Sequence, residues 1–114
     1  MAKSTTKTVQ PVAILDRKEK YWAVLNQILD PDLDIGIVDL GLVYQIHIND
    51  EGFCTVYMTL TSPSCPFGPQ IIMMVEDSMR TYPGVTGVMT EIVWNPIWTQ
   101  DRIDPEIREL MWGI

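Results

Sequence analysis

The sequence predicts an α+β domain, a two-layer sandwich in which helices cover a small three-stranded mixed sheet. Two segments of alternating apolar residues flank the turn Asn49–Gly52, which predicts a β-hairpin. A helical pattern and then a third strand-like segment follow this hairpin, and further helical patterns lie at both ends of the chain. The predicted order is therefore α-β-β-α-β-α, with a right-handed crossover between the last two strands.

The first part of the chain predicts an arm followed by a helix. Residues 1–11 are rich in Thr and Lys and predict a flexible N-terminal arm, whereas residues 12–114 predict a single domain because 114 residues are few for two cores. Asp16 and Glu19 have the spacing of a capping box, and Pro31 ends the predicted helix. Its predicted buried face is Trp22, Leu25, Ile28 and Leu29.

The remaining elements follow from periodicity and from turn residues. The strands are predicted over residues 42–48, 53–61 and 87–94, and the second helix over 69–82. A last helix is predicted to begin at Asp104-Pro105, which is an N-cap followed by a proline at the first helical position. On the second strand the predicted core face is Cys54, Val56, Met58 and Leu60.

Composition and charge exclude several classes of partner. The formal net charge is −7, and the scattered Lys and Arg residues form no basic stripe, which argues against nucleic acid and against an anionic membrane surface. No apolar run approaches the length of a membrane span. Two cysteines form no disulfide framework, so we expect free thiols and a cytoplasmic setting. A sheet this small leaves exposed edges, which favours a homodimer.

The segment TLTSPSCPFGP around Cys65 carries the strongest chemical signal. It joins the end of a predicted strand to the start of a predicted helix, where free N–H groups and the helix dipole favour a thiolate. Pro63 and Pro66 stiffen the segment on either side of the cysteine. Hydroxyl groups lie near the cysteine in the sequence: Thr59, Thr61, Ser62 and Ser64. The segment therefore predicts a reactive thiol or one soft metal ligand. A buried, inert cysteine is the alternative, and it is the interpretation we favour for Cys54.

The sequence gives little support for other catalytic or metal sites. The chain has no Cys-x-x-Cys pair and no glycine-rich phosphate loop, and its two cysteines and one histidine cannot complete a closed zinc site. The single histidine, His47, lies in the middle of a predicted strand. The acidic segment over 30–36 lacks the glycine and distal glutamate of a calcium loop, and we interpret it as a turn with Asx caps.

Asp39 lies inside the apolar run IVDLGL. Burial of a carboxylate is costly unless the group is hydrogen-bonded. Asp39 therefore either caps backbone groups where the loop meets the strand or faces a site. Trp98 is a candidate wall of the same pocket, and packing in the core is its alternative role.

Taken together, these motifs resemble the family of small metal–sulfur cluster biosynthetic proteins, which includes SufT-like and PaaD-like members. The resemblance covers about residues 17–113, and five motifs carry it: DPD at 30–32, IVDLGLVY at 37–44, MTLTSPSCP at 58–66, PGV at 83–85 and PxWT at 96–99. It implies an α+β domain that helps to mature iron–sulfur proteins as an assembly or targeting factor. Its implied partners are the assembly machinery and client iron–sulfur proteins.

The resemblance also assigns site residues. The reactive cysteine of the family falls on Cys65, its acidic position on Asp39 and its site threonines on Thr59 and Thr61. The acid of its DPE or DPD loop falls on Asp32. Ser64 stands where glycine is common, which is a mild departure. The chain lacks the cysteine-rich C-terminal segment of PaaD-type proteins, so the resemblance favours general cluster maturation over a role in oxygenase assembly.

One cysteine cannot hold an iron–sulfur cluster securely, because such clusters normally take four thiolates or a mixture with histidine. The hypothesis is therefore transient ligation of iron or a cluster edge by Cys65, with Asp39 and the threonine hydroxyls orienting it. We predict no catalytic residue. Two alternatives stay open: an adaptor that binds clients without metal, and a thiol-dependent enzyme in which Cys65 is the nucleophile.

Overall fold

The computed structural model describes residues 9–13, 16–31, 33–61 and 67–112. These residues form three α-helices and three strands, with a short 3₁₀ turn before the last helix. In chain order they are α1 (Lys20–Leu25), β1 (Val43–Ile48), β2 (Phe53–Met58), α2 (Gly68–Arg80), β3 (Gly87–Ile92), the 3₁₀ turn (Gln100–Arg102) and α3 (Pro105–Trp112). This order confirms the predicted α+β fold class.

The three strands form one mixed sheet in the order β1-β2-β3. β1 and β2 are antiparallel, with Ile48 opposite Cys54, and β2 and β3 are parallel, with Phe53 opposite Gly87. Both the predicted hairpin and the predicted mixed sheet are confirmed.

The core lies between one face of the sheet and the helices. Along β2 the burial alternates as predicted, because Cys54, Val56 and Met58 are fully buried. α2 turns one apolar face towards them, consisting of Ile71, Val75 and Met79. The opposite face of the sheet carries only a small cluster, in which Val9 packs with Tyr44 and Val93.

The prediction of the first helix is wrong at both ends. The helix begins at Lys20 with Glu19 at its N-cap rather than at Asp16, and Glu19 makes no capping hydrogen bond through its side chain. It ends at Leu25, because the chain then turns to pair Leu29 with Gly36 in an isolated antiparallel bridge. Leu29 is consequently 47% exposed rather than buried.

The other boundaries differ less from the predictions. β2 ends at Met58, three residues earlier than predicted, although the N–H of Thr59 still donates to the carbonyl of Leu42 at 2.8 Å. α3 begins at Pro105 as predicted, and the Asp104 carboxylate accepts the N–H of Glu106 at 2.9 Å. No helix within the described ranges is long and apolar enough to cross a membrane.

The described part of the chain before α1 contacts the sheet. Val9 is buried and donates its N–H to the carbonyl of Asn95 at 3.0 Å. The side chain of Gln45 donates to the carbonyl of Gln10 at 2.8 Å. Residues 9 and 10 fall within the range 1–11 that the sequence predicts as a flexible arm, and these contacts place them on the folded domain. Residues 1–8 lie outside the described ranges.

Candidate functional site

A single helical turn between α1 and β1 presents Asp39. The N–H of Leu42 donates to the carbonyl of Ile37, and the N–H of Gly41 donates to the carbonyl of Val38, both at 3.0 Å. Gly41 has a φ of +84°. These paired bonds and the left-handed glycine are the Schellman arrangement that ends a helix. The motif IVDLGL is therefore a capped helical turn with an acid on its outer side.

The apolar residues of this turn are buried, whereas Asp39 is half-buried. The buried set is Ile37, Val38, Leu40 and Leu42. A Cβ added at Gly41 would overlap the backbone carbonyl of Arg102, so the turn packs directly against the 3₁₀ turn. Trp98 packs against the core and donates its indole N–H to the carbonyl of Leu40 at 2.8 Å. Trp98 thus supports the turn from its inner side.

Both backbone groups of Asp39 are hydrogen-bonded. Its N–H donates to the side-chain oxygen of Asn26 at 2.8 Å, and its carbonyl accepts the N–H of Asp104 at 2.7 Å. Asn26 follows the last residue of α1, and Asp104 is the N-cap of α3. Two helix ends therefore fix the position of this acid. The sequence left two roles open for Asp39, and the structure shows that its backbone is anchored and that the residue lines a groove.

That groove is open to solvent and has a volume of about 240 Å³. Its walls combine one cation, one indole, one amide and two acids: Arg17, Trp22, Asn26, Asp39 and Asp104. The Arg17 guanidinium lies 5.2 Å from the centre of the Trp22 ring, which is within the range of a cation–π contact. The groove therefore places opposite charges around a small polar cleft.

Arg17 is held in place by backbone acceptors. Its Nη1 donates to the carbonyl of Val38 at 3.2 Å, and its Nε donates to the carbonyl of Val12 at 3.3 Å. Burial is the largest influence on the pKa of Arg17 and lowers it, the positive charge of Arg102 lowers it further, and the negative charges of Asp104 and Asp39 raise it. An arginine remains protonated despite such shifts, so the groove keeps a fixed positive charge.

The two predicted site threonines differ in their environments. Thr59 is fully buried, and its N–H bond to the carbonyl of Leu42 ties the end of β2 to the Asp39 turn. Its hydroxyl lies 3.5 Å from the carbonyl of Leu60, which is at the limit of a hydrogen bond. Thr61 is exposed. Both residues fall within the range 53–61 predicted for the second strand, but the strand ends before either of them.

The described residues on the two sides of the Cys65 segment lie close together. A Cβ added at Gly68 would lie 2.9 Å from Cδ1 of Leu60, so the first residue of α2 packs against the chain that follows β2. No side chain among the described residues caps the N-terminus of α2, and its first turn contains no acid. Cys65, Ser64 and Asp32 lie outside the described residues.

The other cysteine and the histidine lie away from this site. Cys54 is fully buried on the core face, and burial raises the pKa of its thiol to about 11. This supports the predicted inert role, because a reactive thiol needs a lowered pKa. His47 is exposed and pairs with Thr55 near the hairpin turn, at the opposite end of β1 from the Asp39 turn. Among the described residues, no three His, Cys, Asp or Glu side chains form a group that could hold a metal ion.

Sequence reasoning missed most of the groove. Asn26 gave no signal, because a single polar residue at a helix end has many roles. Trp22 was assigned only to a buried helical face, and Asp104 only to a helix cap. Their convergence on Asp39 depends on contacts between residues 13 to 65 positions apart, which no local pattern contains.

Comparison with known proteins connects this geometry to a family. Residues 18–90 match the family described as iron-sulfur cluster assembly protein. The chain belongs to this family. The matched segment contains the Asp39 turn, Thr59 and the Cys65 segment, and it confirms the resemblance that the sequence motifs indicated. α3, with Asp104 at its start, lies beyond it.

Several known proteins align with most of the length of this chain. The Fe-S protein maturation auxiliary factor SufT of Staphylococcus aureus is 51% identical over 67% of this chain and 86% of its own length. The Fe-S protein maturation auxiliary factor YitW of Bacillus subtilis is 41% identical over 75% of this chain and 84% of its own. A solved domain of unknown function from Bacillus anthracis superposes with a TM-score of 0.76 at 34% identity, covering 83% of this chain and 90% of that chain.

Proposed function

We propose that this protein helps to mature iron–sulfur proteins, as an assembly or targeting factor whose Cys65 thiolate binds iron or a cluster edge transiently. Family membership and the two maturation factors at 51% and 41% identity support this role. In this proposal the cluster is cargo, and the partners are the assembly machinery and client apoproteins. The work takes place in the cytoplasm, where thiols stay reduced.

The observation that carries the proposal is the meeting of three elements at one end of the sheet. The Thr59–Leu42 hydrogen bond joins the end of β2 to the Asp39 turn. The contact between Leu60 and Gly68 joins the same end of β2 to the start of α2. The described residues that flank the Cys65 segment therefore meet at the end of the sheet that carries the Asp39 turn.

The start of α2 supplies a reason for thiolate chemistry. Cys65 precedes the first residue of α2 by three positions in the sequence. The unpaired N–H groups of a helix N-terminus carry partial positive charge, and an acid or a capping side chain would neutralise it. The described residues provide neither for α2. Among the described residues, nothing therefore opposes an anion at the start of α2.

Incomplete ligation suits transfer better than storage. Iron–sulfur clusters are normally held by four protein ligands, whereas this chain has only two cysteines, of which Cys54 is buried in the core. In the proposed step the Cys65 thiolate donates an electron pair to iron. A client cysteine thiolate then replaces it, and the released Cys65 sulfur takes up a proton. No electron is transferred in this exchange.

Anaerobic reconstitution tests the proposal. The purified chain is incubated with ferrous iron and sulfide, and visible absorption and iron per chain are measured for the wild type, Cys65→Ala and Cys54→Ala. We expect iron–sulfur absorption in the wild type that is lost in Cys65→Ala and retained in Cys54→Ala. The Cys54 variant is the matched control, because it removes a thiol from the core and leaves the Cys65 segment intact.

Absence of a cluster in all three proteins would contradict the carrier role. Retention of client binding by Cys65→Ala in that case would identify an adaptor that docks clients without metal. The thiol-enzyme alternative is weakened because the only histidine of the chain lies in β1 next to the hairpin turn, at the opposite end of that strand from the Asp39 turn.

A further inference from the structure

The sheet has two outer edges, and the described residues cover only one of them. Along β1, the N–H of Val12 donates to the carbonyl of Tyr44 at 2.8 Å, and the side chain of Gln45 donates to the carbonyl of Gln10 at the same distance. The chain before α1 therefore runs beside β1. Along β3, no described backbone group bonds to the outer side of the strand.

The register identifies the groups that this open edge presents. The N–H of Val93 donates to the carbonyl of Met58 at 2.8 Å, so residue 93 directs its backbone towards β2. The direction of the backbone N–H and C=O groups alternates along a strand, and therefore those of Gly87, Met89 and Glu91 also face β2. The outward residues are Val88, Thr90 and Ile92. Together they offer three N–H donors and three C=O acceptors over six residues of strand.

The outer edge of β3 carries few of the features that normally prevent an edge strand from pairing with another chain. Natural edge strands are commonly protected by lysine, proline or a bulge, and β3 has no lysine or proline and pairs with β2 without interruption. Met89 is 45% exposed and Phe53, on the neighbouring strand, is 37% exposed. Both lie on the sheet face opposite the helices, because they alternate with core residues. The aliphatic stems of long side chains would find contacts there.

Charge distinguishes between the partners that could occupy this edge. The three strands and their hairpin turn contain Asp50, Glu51 and Glu91 but no lysine or arginine. The hydroxyl of Thr86 donates to the carbonyl of Glu51 at 2.8 Å, which places the acidic turn beside the start of β3. A second copy of the chain would bring the same acids and a further net charge of −7. A basic partner would be attracted instead.

We propose that the outer edge of β3 binds an extended, basic segment of a partner protein as a fourth strand of the sheet. Main-chain hydrogen bonds to Val88, Thr90 and Ile92 hold the segment. On the outer face of the sheet its lysine or arginine side chains face Glu91 and the turn at Asp50 and Glu51, with their aliphatic stems against Met89 and Phe53. Its apolar side chains lie on the helix-covered face, beside Val88 and Ile92. This surface contains none of the candidate site residues and goes beyond the proposed role of Cys65.

The test uses the metal-free, ¹⁵N-labelled full chain and two synthetic peptides, acetyl-(Lys-Val)₅-amide and acetyl-(Glu-Val)₅-amide. We expect the lysine peptide to shift the β3 amides and to slow hydrogen exchange at Val88, Thr90 and Ile92. The glutamate peptide has the same alternation and the opposite charge, and we expect it to bind at least about tenfold more weakly. Equal binding of both peptides, or shifts confined to other surfaces, would overturn the proposal.

Two substitutions at one position separate the backbone from the side chain. Thr90→Pro removes an outward N–H, which an edge position tolerates, and we expect loss of peptide binding. Thr90→Val keeps that N–H and replaces a buried hydroxyl that has no hydrogen-bond partner among the described residues, so binding should be retained. If Thr90→Pro does not fold, a lysine peptide with N-methylated valines applies the same test to the wild type. Concentration-dependent dimers by sedimentation, dissociated by Thr90→Pro, would assign the edge to a second copy instead.

Discussion

Asn26 and Asp39 are joined by a hydrogen bond in which the Asn26 side-chain oxygen accepts the Asp39 backbone N–H at 2.8 Å. Asn26 follows α1 directly, and a Cβ added at Gly36 would overlap its side chain. The end of the first helix thus fits against the turn that carries the acid. One amide side chain connects the core-facing helix to the candidate site.

Asn26→Ala tests this connection. The change leaves the half-buried N–H of Asp39 without its acceptor, and we expect a loss of about 1–3 kcal/mol in the free energy of unfolding. Urea denaturation at pH 7 measures it. The control is Gln27→Ala at the neighbouring exposed position, which should stay within about 0.5 kcal/mol of the wild type. Equal losses in both variants would show that the hydrogen bond contributes nothing beyond the local effect of an alanine substitution in this turn.

Gly41 and Gly84 form a matched pair for the Asp39 turn. Their φ angles are +84° and +90°, so alanine is strained at both positions by about 1–2 kcal/mol. At Gly84 a Cβ meets nothing within 4 Å, whereas at Gly41 it would overlap the Arg102 carbonyl. We expect Gly41→Ala to be destabilised by more than about 3 kcal/mol and Gly84→Ala only by the strain. Guanidinium denaturation of both variants measures the difference, and similar values would contradict the close packing at Gly41.

The turn also shows how far the sequence can specify the fold. Alternation and glycine or proline punctuation predicted the hairpin, the mixed sheet and α2, because these signals act over a few residues. The predicted end of the first helix was wrong, because the helix ends where the chain turns to form the bridge between Leu29 and Gly36, which is a tertiary contact. A capping box at Asp16 and Glu19 is a local preference, and packing overrides such a preference.

The buried thiol of Cys54 should make the folded protein less stable at high pH. Burial raises the pKa of its thiol from 9.0 to about 11 in the folded protein. Between these values the unfolded chain has released the proton and the folded chain still holds it, so stability is complete below pH 9 and falls as the pH rises towards 11. Burial also raises the pKa values of Tyr21 and Tyr44, which contribute in the same direction.

The contribution of Cys54 is isolated by comparing two slopes. The free energy of unfolding is measured from pH 8 to 11 for the wild type and for Cys54→Ala, in the presence of a reductant. Cys54→Ala should be less stable at pH 8, because it leaves a small cavity, but its stability should fall less steeply with pH. Parallel curves would mean that the Cys54 thiol ionises at the same pH in both states.

The candidate site was predictable only in part. Asp39 and Thr59 were identified from motifs, and the structure brings both to the same end of the sheet through Leu42. Arg17 and Asn26 were not identified, because their roles depend on backbone acceptors and donors far along the chain: Arg17 reaches Val38, 21 positions away. Side chains that bond to backbone leave no compositional signature in a single sequence.

Asp104 caps α3 through its side chain and holds Asp39 through its backbone, and two substitutions separate the cap from the negative charge of the side chain. Its carboxylate accepts the N–H of Glu106 at 2.9 Å, and its backbone N–H donates to the carbonyl of Asp39 at 2.7 Å. Asp104→Ala removes the cap and should cost about 1 kcal/mol, whereas Asp104→Asn keeps a capping oxygen and should cost only a few tenths. The bond to Asp39 survives in both, because it uses the backbone. Thermal and guanidinium unfolding measure the two costs, and equal costs would assign the effect to the lost negative charge beside Arg17 rather than to the cap.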